Sequence, residues 1–193
     1  MNTDPAFFEA ELARALEVLR GGGTLLYPTD TVWGLGCAAT DAAAIARIYA
    51  LKQRPDSKSM IVLVGGERDI LQYIAAPDPE AIAFMQAAER PTTMIFGGAI
   101  GLPENLVAAD GSIAMRIVRD PFCRHLVKRL RVPLVSTSAN ISGEPTPASF
   151  AEVAGAVRSG VDHVVRWRQD DDSAALPSQI VRWQEGGPVF IRK

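Results

Sequence analysis

Apolar positions along this chain alternate between helical spacing and short unbroken runs. Phe8, Leu12, Ala15 and Leu19 recur every three to four residues, opened by Asp4-Pro5 and ended by Gly21-Gly22-Gly23. Asp supplies an acceptor for a free amide at a helix start. Pro fits the first turn, where its missing N–H costs nothing. The same Asp-Pro opening stands at Asp78-Pro79 and at Asp120-Pro121, each before an apolar-rich stretch. Asp41 opens a fourth helix, with Ile45, Ile48, Tyr49 and Lys52 along it. Between these lie β-branched or aliphatic runs at 24–27, 60–64, 92–96, 113–118, 134–136, 161–165, 179–183 and 189–191. Helices alternating with short buried strands predict an α/β layer fold. The last two runs are close enough to form a hairpin, so the sheet is expected to be mixed rather than parallel throughout. No repeat, low-complexity tract or linker interrupts the pattern, and residues 1–193 read as a single domain.

Composition narrows the class. With 193 residues, 48% of them hydrophobic and 22% charged, the chain can build a real core, which excludes disordered and fibrous classes. Its 20 Lys and Arg against 22 Asp and Glu leave a net charge of −2. That balance argues against salt-driven nucleic-acid binding over the whole surface and leaves room for a local basic cleft. Cys37 and Cys123 are far apart and form no CxxC, and His125 and His163 complete no metal-ligand spacing with them. A reducing cytoplasm is the expected setting. No apolar run approaches the ~20 residues of a membrane span. The acid-containing N-terminus lacks the basic region of a signal peptide, so no membrane association is expected.

The usual nucleotide and hydrolase motifs are missing: there is no GxxxxGK[ST] and no GxSxG. Gly34-Leu35-Gly36 begins a GxGxx(G/A) match, but six residues separate it from the preceding strand. A loop needing small residues for backbone approach is the better reading than a dinucleotide turn. Cys37 beside it reads as a small buried residue rather than a nucleophile. Four polar segments carry more. In Tyr27-Pro28-Thr29-Asp30-Thr31-Val32-Trp33-Gly34-Leu35-Gly36 a strand runs into hydroxyls and a carboxylate, a ligand loop or an Asx/ST turn that only reverses the chain. Lys52-Gln53-Arg54-Pro55-Asp56-Ser57-Lys58 places three cations just past a helix, as phosphate binders or as a solvated C-terminus. Val135-Ser136-Thr137-Ser138-Ala139-Asn140-Ile141-Ser142-Gly143 follows a buried strand, where open α/β sheets place ligands; a polar turn is the alternative. The fourth is Pro177-Ser178-Gln179, with Arg192 at the end of the chain.

Together these segments resemble the YrdC family of L-threonylcarbamoyladenylate synthases over most of the chain. GGTLLYPTDTVWGLG resembles that family's opening strand and loop, LKQRPDSKSM its KxR segment and STSANISGEP its SxN segment. GSIAMRI resembles its arginine-bearing strand, and PSQIV with FIRK its closing serine and arginine. Trp33 stands where the family usually has Tyr, Gln179 where Thr is commoner, Leu63 where some relatives carry His, and Pro91-Thr92-Thr93 where many have PGPxT.

The resemblance implies a strongly twisted mixed β-sheet with flanking helices around a concave basic cavity. It also implies an ATP-dependent reaction: L-threonine and bicarbonate or CO2 give a carbamate, which attacks the α-phosphorus of ATP and releases pyrophosphate. The product, L-threonylcarbamoyl-AMP, would pass to a threonylcarbamoyl transferase complex that modifies ANN-decoding tRNAs. Matched position by position, threonine is expected at Thr31, Arg116, Ser138 and Ser178. ATP, with Mg2+ on its phosphates, is expected at Arg54, Lys58, Ser112, Asn140, Ala148 and Arg192. Lys52 and Arg54 are the expected catalytic cations, with mere orientation of its neighbours as the other role for Lys52. Such chemistry fits a site rich in cations and hydroxyls, since nucleotidyl transfer needs positioning and charge more than a covalent nucleophile. Two rivals stand beside it. One is a double-stranded RNA-binding module using Arg124, Lys128, Arg129 and Arg131, which also read as a solvated helix face. The other is an O-carbamoyltransferase-like domain.

Overall fold

All four Asp-opened helices form, and in each the aspartate carboxylate accepts a backbone amide from the first turn. The computed structural model describes residues 4–54, 60–171, 173 and 176–193. Helix α1 (Pro5–Arg20) is capped by Asp4 on the Ala6 amide, and α2 (Ala42–Leu51) by Asp41 on the Ala44 amide. Helix α3 (Glu67–Tyr73) was not foreseen; it is short and starts at Gly66 with no side-chain cap. Asp78 caps α4 (Pro79–Ala87) and Asp120 caps α5 (Pro121–Leu130), while the five-residue α6 (Gly155–Ser159) again lacks a side-chain cap. Among the described residues, no helix is long and apolar enough to cross a membrane.

The strands are β1 (Leu25–Tyr27), β2 (Gly34–Gly36), β3 (Ile61–Val64), β4 (Thr92–Phe96), β5 (Ile113–Ile117), β6 (Leu134–Ser138), β7 (His163–Val164), β8 (Gln179–Gln184) and β9 (Gly187–Arg192). Among the described residues they form one sheet in the order β7-β1-β2-β6-β3-β5-β4-β8-β9. The pairs β1/β7, β3/β5 and β4/β8 are parallel and the remaining neighbours antiparallel, so the sheet is mixed as the pattern required. The β8–β9 hairpin turns through Glu185 and Gly186, both at positive φ, the twist that matches right-handed strands.

One reading is corrected here. Gly34-Leu35-Gly36 is a strand, not a loop, paired to β1 on one side and β6 on the other. Its glycines do serve close backbone approach. A Cβ on Gly36 would lie 2.3 Å from the Val135 carbonyl oxygen and 2.7 Å from Tyr27 Cε1. Tyr27 crosses that space, its hydroxyl donating to the Val135 carbonyl at 3.2 Å.

The two sheet faces are covered differently. On one, Val62, Val64, Met94, Met115, Val135 and Val181 pack under Ile45 and Ile48 of α2, Ile70 of α3, and Ile82 and Met85 of α4. On the other, α1 and α5 bury Leu63 and Leu134 beneath Leu12, Leu16, Phe122 and Leu126. Phe8 closes this second core edge-on to Phe122 and Trp167. Full burial of each such aliphatic side chain contributes about 1.5–3 kcal/mol. Cross-strand register then leads along this face from Leu134 to Leu63, Arg116, Thr93, Ile180 and Arg192. The row starts apolar under the helices and beyond them carries Arg116, Thr93 and, at its end, Arg192. That change marks where a cavity opens.

Candidate functional site

The cavity has a volume of about 280 Å³ and sits on the sheet face that α1 and α5 leave uncovered. A second register row, Ser136, Ile61, Ala114 and Ile95, forms its floor. Around that floor stand Thr31, Arg54, Arg116, Ser138, Ser178 and Arg192. Six of the residues singled out in the sequence thus converge on one space, although they lie up to 161 positions apart in the chain.

The loop after β1 reconciles its two readings. Thr29 makes the turn: its hydroxyl accepts the Thr31 amide at 3.0 Å and donates to the Val32 carbonyl at 2.8 Å. Thr31 lines the cavity, with its hydroxyl sharing a 3.0 Å hydrogen bond with that of Thr29. Asp30, not assigned from the sequence, approaches Arg116 with Oδ1 3.0 Å from Nη2. The approach lies off the hydrogen-bonding direction. Asp30 Oδ1 and Arg116 Nη2 are therefore buried without a hydrogen-bond partner, and Arg116 Nε is buried without one as well. Arg116 is only 3% exposed, and a buried guanidinium with unused donors beside a cavity is built to receive an oxyanion. Arg168 holds this corner, reaching Asp120 at 2.7 Å, Asp171 at 2.8 Å and the Thr29 carbonyl at 3.4 Å.

At the opposite wall, Arg192 of the last strand donates to the Ser178 carbonyl through Nη2 at 2.7 Å and Nε at 3.1 Å. The Ser178 hydroxyl shares a 2.8 Å hydrogen bond with that of Thr93. Burial lowers the Arg192 pKa, and the nearby charge of Arg116 adds to the effect. Burial likewise lowers that of Arg54. Three guanidinium groups line one small cavity, so an anionic ligand is favoured there on Coulombic grounds.

Other candidates fall elsewhere. Lys52 is 1% exposed and does not line the cavity; its ammonium donates to the carbonyls of Ser138 at 2.5 Å and Asn140 at 2.6 Å. Burial, and secondarily the charge of Arg54, pulls its pKa down to about 8. Asn140 spends its amide on the Ile141 and Glu144 carbonyls and stands outside the lining. Ser112 lies just before β5 and bonds Asp110. Ala148 lines a narrower cleft beside Thr31, Trp33 and Arg168. Lys58 lies outside the described residues. Asp30 and Ser136, which lie in two of the polar segments, and Thr93 of β4 add polar groups on this side that no sequence expectation gave a role; for Thr93 and Ser136 only register shows which face they take.

Cys37 is buried as expected, with its thiol pushed up to about 12 by burial and then by the charge of Asp41. The cations of α5 lie outside the cavity. Arg124, Lys128 and Arg131 border a broader groove of about 740 Å³ between α3 and α5, and Arg129 pairs with Glu9 at 2.8 Å. Among the described residues, no three His, Cys, Asp or Glu side chains gather as metal ligands.

A family model, Sua5_yciO_yrdC, described as telomere recombination, matches residues 17–193. The chain belongs to the Sua5/YciO/YrdC family. Within it, a protein of Chromohalobacter salexigens named threonylcarbamoyl-AMP synthase is 37% identical over 159 residues, covering 78% of this chain and 82% of its own length. Another of that name, from Xanthomonas euvesicatoria, is 34% identical over 175 residues and covers 88% and 91%. Among solved structures, P. abyssi Sua5 complexed with L-threonine aligns with a TM-score of 0.84 at 24% identity, over 95% of this chain and 54% of that one. At that identity the likeness speaks for the fold alone, a mixed sheet with flanking helices that this chain shares with the family.

Proposed function

We propose that this protein synthesises L-threonylcarbamoyl-AMP from L-threonine, bicarbonate or CO2, and MgATP, releasing pyrophosphate. The observation that carries the reading is the meeting of Arg54, Arg116 and Arg192 with the hydroxyls of Thr31, Ser138 and Ser178 in one cavity. Relatives of near-equal length that bear the name of this activity support it. Arg116 takes the threonine carboxylate through its unused donors, and the hydroxyls of Thr31, Ser138 and Ser178 hold the rest of the amino acid. The neutral amine adds to carbon, forming a carbamate and releasing a proton when CO2 is the carbon source or a water molecule when bicarbonate is. A carbamate oxygen then bonds to the α-phosphorus as the bond to the β-phosphate oxygen breaks. Arg54 and Arg192 offset the charge carried by the phosphates.

A volume of about 280 Å³ is near the lower end of the ~300–1,000 Å³ typical of ligand pockets. It therefore encloses the amino acid and the reacting phosphate, and the nucleoside extends outward toward Ser112, Asn140 and Ala148. Mg2+ arrives on the nucleotide, consistent with a donor set that offers cations and hydroxyls rather than clustered carboxylates. The product passes to a threonylcarbamoyl transferase complex acting on tRNA in the cytoplasm. Pyrophosphate release measured with threonine, bicarbonate, ATP and Mg2+ each omitted in turn tests the reading. Release should need all four, and threonine-independent release would overturn it.

A further inference from the structure

Lys52 poses a problem of placement. A lysine ammonium is costly to bury unless it is fully engaged, yet this one is 1% exposed beside a basic cavity it does not line. The surrounding backbone shows what engages it. Nζ donates to the Ser138 carbonyl at 2.5 Å and the Asn140 carbonyl at 2.6 Å, while the Lys52 carbonyl accepts the Ser142 amide at 2.8 Å. The Ser138 carbonyl also accepts the Asn140 amide at 2.9 Å, so the chain folds back tightly between those residues. Two carbonyl oxygens converge on one point in that turn, and without a cation between them they repel.

The turn is where the cavity needs precision. Ser138 ends β6 with its side chain on the cavity, and the Ala139 amide donates at 3.0 Å to the Trp33 carbonyl in the loop that carries Thr31. Lys52 is also the C-cap residue of α2, two positions before Arg54, another cavity residue. We infer that Lys52 is a positioning residue: its ammonium clamps the 138–142 turn to the end of α2 and so sets Ser138 against Arg54, without touching substrate. The kinetic part of this inference rests on the proposed reaction. The structural part does not.

Lys52→Met keeps the length of the side chain and removes the donors. Losing charge-assisted hydrogen bonds should open the turn on the order of 10–100-fold more often, read as faster amide hydrogen exchange at 139–142 with β3 and β5 unchanged. In pyrophosphate release, KM for threonine and ATP should rise on the order of 10–100-fold, while kcat at saturation moves far less. Ser138→Ala should then cost less in the Lys52→Met background than in wild type, because the two act through one contact. Should Lys52→Met fail to fold, Lys52→Gln, which keeps one donor group, takes its place in the same measurements. Unchanged exchange at 139–142 would overturn the inference, and so would a kcat loss of on the order of 10²–10³-fold at unchanged KM, which would assign Lys52 to the reacting atoms. If the wild type shows no threonine-dependent release, the proposed reaction falls, and the exchange comparison still decides the clamp.

Discussion

Replacing Arg116 with Met should separate two roles that one guanidinium now fills. It lies 3.0 Å from Asp30, with side-chain exposures of 4% and 10% for the two partners. Removing one side of so buried a pair strands the other charge, at a usual cost of about 3–5 kcal/mol. In a chain of this length that lowers Tm by roughly 6–20 °C. Adding Asp30→Asn removes the stranded charge, and most of the lost stability should return, since replacing a whole buried pair is often close to neutral. Threonine binding should not return with it. A carboxylate that loses a desolvated, planar partner gives up about 2–5 kcal/mol, or roughly a 30-fold to several-thousand-fold rise in KM. Urea unfolding and pyrophosphate release on wild type, the Arg116→Met variant and the double variant give both numbers. If the double variant regains wild-type KM for threonine, Arg116 is a structural cation and the carboxylate binds elsewhere. If Arg116→Met alone leaves the unfolding midpoint where it was, the pair with Asp30 contributes nothing to the fold.

Gly36→Ala should destabilise by at least about 1–3 kcal/mol, because its Cβ meets the fixed Val135 carbonyl at 2.3 Å; Gly34→Ala, whose nearest neighbour is the Ser136 hydroxyl at 3.2 Å, should cost less in the same melting experiment. Cys37 and Cys123 should both resist a thiol reagent in the folded protein and react on unfolding, since both are buried and burial raises both thiol pKa values. Lys52, lowered from 10.5 to about 8 by burial and by Arg54, makes the unfolded chain bind more protons between those pH values. Wild type should therefore gain about 3 kcal/mol of stability over Lys52→Met as pH rises from about 8 to about 10.5, with the difference flat below pH 8. A difference that stays constant or shrinks over that interval would show that the ammonium is not desolvated.

Much of this molecule is local chemistry written in order. Asp4, Asp41, Asp78 and Asp120 each cap a helix through an amide two or three residues away, so the sequence alone located four helix starts. Strands β3, β4, β5 and β8 are apolar runs whose extended form follows from their own residues, and the closing hairpin follows from a short polar turn. The segments that carry the site were legible as well, because hydroxyls and cations crowd together only where the chain leaves a strand or a helix. What the sequence could not decide was which of those groups face one another. Strand β2 has three residues, two of them glycine, and is a strand only because β1 and β6 bond it from both sides. The short α3 has no side-chain cap to announce it. Asp30 meets Arg116 through the packing of the β1 loop against β5, and the Lys52 ammonium turns from the cavity to two carbonyls 86 and 88 residues away. These are long-range contacts, fixed by sheet order and register. Their energies depend on burial, which no stretch of sequence possesses until the sheet has closed around it.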